Sequence, residues 1–95
     1  MSTRREISDD SVPRLRRGVR LADSPAQDGM VLLAPERVFK PDAIALAILQ
    51  RCNGTATVAG IVDELSAAYK APRERVLTDV KVLLGSLADK QLLEL

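Results

Sequence analysis

The period of apolar positions changes along the chain, and the change separates a strand-forming half from a helical one. From Pro13, residues Leu15, Arg17, Val19 and Leu21 fall on one side of an extended backbone, with Arg14, Arg16, Gly18 and Arg20 on the other. This predicts a half-exposed strand with a basic outer face. "ADSPAQDG" is dense in turn formers, with Asp28-Gly29 suited to a positive φ, and Met30 to Ala34 returns as an apolar second strand. Pro35 sets a tight turn, so Arg37 to Lys40 comes back as a short third strand at the sheet edge before Pro41 closes it. Pro41 and Asp42 then open a helix in which Ile44, Ala47 and Ile48 share a face, with Asn53-Gly54 as its expected left-handed cap. Thr57 is an N-cap for a second helix, where Val58, Ile61, Val62, Leu65 and Tyr69 recur at helical spacing. Pro72 opens a third, lined by Val76, Val80, Leu83, Leu84 and Leu87, and "KQLLEL" ends the chain as a strand or docked tail.

Strands first and three helices after predict an α+β domain, winged helix-turn-helix-like, with a three-stranded antiparallel sheet followed by three helices. It spans residues 13–95. Residues 1–12, polar and of mixed charge, are expected as a flexible N-terminal tail. Fold alone does not settle function, because this architecture hosts many activities.

Composition narrows the choice. The chain has 95 residues, enough for one modest core, and its only aromatics are Phe39 and Tyr69, so aliphatic packing must carry the fold. Fourteen basic residues against thirteen acidic ones leave no global field to hold nucleic acid or an acidic membrane. The longest apolar run, Ala43 to Leu49, is far short of the roughly 20 residues a spanning helix needs, and the N-terminus lacks a signal-peptide core; a cytoplasmic location is expected. Cys52 stands alone and histidine is absent, so no internal disulfide, metal site or cofactor is expected. Cys52 continues the Ile44, Ile48 spacing and reads as a small core residue, while Asp9-Asp10 and Asp63-Glu64 are adjacent pairs that do not converge on a reacting atom. No catalytic residue emerges.

Three features remain as candidate contacts. Val82 falls on the polar side of the third helix, beside Arg75, Thr78, Gly85 and Ser86, with Asp79 near; it is either a stray surface valine or an apolar contact for a ligand. The strand Arg37, Val38, Phe39, Lys40 either offers open main-chain groups to an extended peptide or is blunted by its own Arg37 and Lys40. Arg14, Arg16, Arg17 and Arg20 form the densest basic cluster, solvated or facing an acidic partner.

Taken in order, "PRLRRGVRL", "LLAPERVFK" leading into "AIALAIL", "CNGTATV" and "DVKVLLGSLADKQLL" resemble the PqqD family, small peptide chaperones of pyrroloquinoline quinone biosynthesis, across Pro13 to Leu95. The resemblance implies a RiPP recognition element, a non-catalytic reader of leader sequences on ribosomally made precursor peptides. Its partners would be the precursor peptide PqqA and the radical S-adenosylmethionine enzyme PqqE, to which the complex is presented. The peptide would add as a strand along Arg37, Val38, Phe39 and Lys40 and lie against Arg75, Thr78, Asp79, Val82 and Ser86 of the third helix. Lys40-Pro41-Asp42 departs from the Asn-like cap of many members. A winged-helix DNA-binding regulator is the alternative, and an open edge would also allow an edge-mediated or strand-exchanged dimer beside the monomer.

Overall fold

Leu21, Leu32 and Phe39 sit side by side across three antiparallel strands, and that row decides which face of the sheet is buried. The computed structural model describes residues 7–27 and 29–95. In chain order the elements are β1 (Arg14–Leu15), β2 (Arg20–Ser24), a 3-10 turn (Pro25–Gln27), β3 (Gly29–Ala34), β4 (Arg37–Phe39), α1 (Ala43–Leu49), α2 (Val58–Tyr69), α3 (Arg73–Asp89) and β5 (Leu93–Glu94). β2, β3 and β4 form one sheet in that order, and β1 pairs with β5 in a second, smaller one. This is the expected α+β plan of three strands and three helices, enlarged by the small sheet; winged helix describes it only loosely.

Paired residues of antiparallel strands share a face, so Leu21, Leu32 and Phe39 point together into the core. There they meet Ile48 of α1, Ile61 and Val62 of α2, and Val80 and Leu84 of α3. Burying each such side chain stabilises the fold by about 1.5–3 kcal/mol relative to leaving it in water. The neighbouring row, Arg20, Leu33 and Val38, points the other way.

Helix starts follow their caps. The Asp42 carboxylate accepts from the Ala45 amide at 2.7 Å, and the Thr57 hydroxyl accepts from the Gly60 amide at 3.0 Å. The first amides of α2, which no helical turn can satisfy, donate instead to the preceding chain: Val58 to the Ser11 carbonyl at 2.8 Å and Ala59 to that of Asp9 at 3.0 Å. Of the tail expected over residues 1–12, positions 1–6 lie outside the described residues; from Ile7 to Ser11 the chain lies against α2 and α3. Ile7 packs over Gly85 of α3, where a Cβ would stand 3.7 Å from the Ile7 methyl, in ordinary contact. Among the described residues no helix is long and apolar enough to cross a membrane.

The structure corrects the sequence in three places. The single strand expected from Leu15 to Leu21 is broken: Gly18, at φ +87°, turns the chain, and the Val19 amide closes on the Arg16 carbonyl at 2.9 Å. Its two pieces enter different sheets. Asp28 of the expected turn lies outside the described residues, and Asp23 and Ser24 extend β2 instead of forming loop. Finally, α1 ends at Leu49 with Gln50 as cap, and Gly54, at φ +83°, serves the following loop, where the Asn53 side chain accepts from Thr55 and Ala56.

Candidate functional site

Among the described residues β4 has one neighbour, β3, with which it pairs through Ala34 with Arg37, Leu33 with Val38 and Leu32 with Phe39. Because only Pro35 and Glu36 separate Ala34 from Arg37, that pair closes the hairpin by exchanging hydrogen bonds, and Leu32 with Phe39 is the next pair to do so. The pair between them does not, so the amide and carbonyl of Val38 are directed away from β3, toward the open side. The Val38 side chain is exposed as well, at 56 %. Main-chain and apolar groups thus face solvent at one residue, in an edge long enough to pair and too short to be shielded by a bulge.

Downstream of this edge the chain passes through Pro41 into α1 and borders a groove against α3. About 480 Å³ lies between Asp42, Ile44 and Ala45 on one side and Asp79, Val82 and Ser86 on the other. The walls are apolar where they meet, with Ile44 46 % and Val82 67 % exposed. A narrower recess of about 190 Å³ continues from Ile44 and Asp79 toward Arg75 and Tyr69. Residues 75, 79, 82 and 86 are spaced by four, three and four along α3, so one stripe of the helix serves both cavities.

The site residues expected from sequence therefore divide. Asp79, Val82 and Ser86 line the groove, and Arg75 and Asp79 line the recess. Arg37, Val38 and Phe39 lie in β4 with Lys40 just beyond it, and Phe39 turns inward onto the core. Thr78 lines neither cavity; its hydroxyl is spent on the Glu74 carbonyl at 3.0 Å. The Ser86 hydroxyl accepts from Lys90 at 2.9 Å. Gly85, grouped with Val82 in the sequence, is buried beneath Ile7. Ile44 and Tyr69, assigned to the core by periodicity, are 46 % and 51 % exposed and border the cavities. Each sits at a helix end, where the apolar stripe outruns the core beneath it; that overhang is the only sequence signal they carry.

The remaining chemistry is quiet. Cys52 is buried and donates to the Ile48 carbonyl at 3.3 Å, and burial pushes its thiol up to about 12, far from a reactive thiolate. The Arg73 guanidinium is held above its usual range by its hydrogen bond to Asp63, at 2.7 Å. A larger concavity, about 790 Å³, opens elsewhere, between Ser8, Asp10, Arg14 and Glu94. It is broad and polar, and Arg14 there is already paired to Glu94 at 2.9 Å, so the smaller groove is the better anchor for an apolar ligand.

Comparison with known proteins bears on the fold and the family. The family model for coenzyme PQQ synthesis protein D (PqqD) matches residues 29–93. A PqqA binding protein of Bradyrhizobium diazoefficiens is 48 % identical over 84 residues, covering 88 % of this chain and 82 % of that one. A PqqA binding protein of Xanthomonas campestris pv. campestris is 48 % identical over 89 residues, covering 94 % and 97 %. Among solved structures, the PqqD truncation of Methylobacterium extorquens PqqCD, a functional and stand-alone RiPP recognition element, superposes with a TM-score of 0.80 at 40 % identity, over 95 % of this chain and 96 % of that one. A lasso peptide synthetase B1, solved with its leader peptide, shares the fold at 24 % identity and a TM-score of 0.76, over 90 % and 100 % of the two chains. On the family match and these identities, the chain belongs to the PqqD family.

Proposed function

We propose that this protein is a non-catalytic peptide chaperone of pyrroloquinoline quinone biosynthesis that binds the precursor peptide PqqA by strand addition along β4. The observation that carries the reading is the outward amide and carbonyl of Val38, four residues before Asp42, which lines the Ile44–Val82 groove. An added strand takes main-chain bonds at Val38, and its side chains reach the apolar walls. Relatives named for binding PqqA, at 48 % identity, supply the ligand. The family resemblance supplies the next partner, PqqE. The contact residues are Val38 on the open edge, flanked by Arg37 and Lys40, and Arg75, Asp79, Val82 and Ser86 on α3, whereas Phe39 and Thr78 are engaged within the fold. A second copy would pair along the same edge, so PqqA and self-association compete and dimers dissolve on dilution.

No observation favours the DNA-binding reading. On α3, Arg73 is tied to Asp63 at 2.7 Å and Lys81 to Asp9 at 3.6 Å, while Glu74 and Asp79 stay exposed toward any phosphate.

An isotope-edited NMR titration with PqqA tests the proposal. Amide shifts concentrate at Arg37–Lys40 and Arg75–Ser86, and adding PqqE broadens the bound resonances. Val38→Pro removes the outward amide while leaving both hydrogen-bonded pairs of the hairpin intact. It weakens PqqA about tenfold, the scale of one main-chain bond of roughly 0.5–1.5 kcal/mol. Unchanged affinity in that variant, with shifts gathered elsewhere, rejects strand addition.

A further inference from the structure

The basic cluster near the N-terminus is rearranged by the fold into something its sequence does not show. Arg14 leaves it, turning into the small sheet to pair with Glu94. Arg37 joins it. Gly18 brings the Arg16-Arg17 turn against the β3–β4 turn, where a Cβ on Gly18 would lie 3.7 Å from the Pro35 ring. Arg20 opposes Leu33 at the start of β2, and Arg37 opposes Ala34 at the start of β4, so both belong to this same end of the sheet, Arg20 in the outward row and Arg37 in the row that faces the opposite side.

Arg16, Arg17, Arg20 and Arg37 are all exposed, and among the described residues none of their side chains makes an ion pair or hydrogen bond. Elsewhere Arg14, Arg51 and Arg73 each hold a carboxylate at 2.7–2.9 Å, while Arg75 on α3 is the other described arginine that holds none. Glu36 is the only acidic residue in the two turns, so the corner carries an excess of positive charge in a chain whose net charge is only +1. It stands at the Arg37 end of β4, where a strand added to the open edge must enter or leave.

We propose that Arg16, Arg17, Arg20 and Arg37 receive carboxylates of the client peptide that flank, on the Arg37 side, the segment paired to β4. This inference rests on strand addition and deepens it. The edge accepts any extended backbone, whereas the arginine corner selects peptides with Asp or Glu just outside the paired stretch and fixes which end of the peptide lies there. Guanidinium forks suit carboxylates in two-bond geometry, and opposite charge at a rim favours the correct orientation over its reverse.

The test is a set of titrations of the full chain with PqqA at low and high salt, followed by both affinity and amide shifts. An Arg16→Gln, Arg17→Gln, Arg20→Gln triple variant binds about tenfold more weakly at low salt, and the difference shrinks to within twofold near 1 M, where screening reaches only about 3 Å. Amide shifts at Arg37–Phe39 persist in the variant, because the edge itself is untouched. Replacing carboxylates by amides on one flank of PqqA reproduces the loss and is not additive with the triple variant; the same change on the other flank has no effect. Equal affinity of variant and parent at low salt, or a loss that survives high salt, overturns the arginine assignment while leaving strand addition standing. Absence of shifts at Arg37–Phe39 in the parent protein overturns both. Should the triple variant lose its amide dispersion, Arg20→Gln alone, about threefold weaker, carries the same comparison.

Discussion

β1 and β4 are both short strands that begin with an arginine, yet one is closed and the other open. β1 is flanked on both sides: β5 pairs with it through Arg14–Glu94 and Leu15–Leu93, and Asn53 bridges to Arg14 from the other side. The Pro13 carbonyl accepts from Gly54 and the Arg16 amide donates to Leu92, at 3.2 and 3.0 Å. Among the described residues, β4 has β3 on one side only. A small protein has strong reason to satisfy its own backbone, and this one does so where its two ends meet. In the larger sheet both outer strands, β4 and equally β2, keep an open edge among the described residues, so closure is local to the β1–β5 pair.

The contrast is broken most strongly from the closed side. Leu93→Ala, at a residue 2 % exposed, should cost about 2–5 kcal/mol in urea unfolding and loosen the β1–β5 pairing. If the two regions are as separate as described, peptide affinity extrapolated to the folded fraction stays near parental. On the open side the pattern reverses. Val82→Glu, at a residue 67 % exposed, should shift stability by no more than about 0.5 kcal/mol yet weaken PqqA several-fold by placing a charge in the groove. Loss of fold together with loss of binding would show that Val82 is structural. The smallest effect sharpens the comparison from outside both regions. Lys70 ends α2 in the left-handed conformation, φ 52°, which an L side chain adopts at a cost, so Lys70→Gly should raise stability by about 0.5–1 kcal/mol in thermal unfolding and leave binding unchanged.

Much of the open side was legible in the sequence because its determinants are local. Pro35 and Pro41 bracket β4, Asp42 and Thr57 cap their helices through neighbours three residues on, and Val82 betrays itself by sitting off the core stripe of α3. The closed side was not legible. Arg14 and Glu94 are 80 positions apart, and nothing near either one announces the pairing. The same blindness produced the unbroken first strand: alternation reads correctly through Arg17 and Val19, while the turn at Gly18 is imposed by two sheets that each claim half of the segment. Ile44 and Tyr69 were read as core because period reports a face, and only the packed neighbours decide how far along the helix that face is covered.

Val38 is a single residue, and that brevity bears on what the edge can do. A polypeptide lying alongside gains there one donor and one acceptor, together some 1–3 kcal/mol, whereas micromolar retention requires about 8. The balance has to be made up by side chains settling between Ile44 and Val82. Holding is consequently decided by what the client is made of, and letting go is never far uphill.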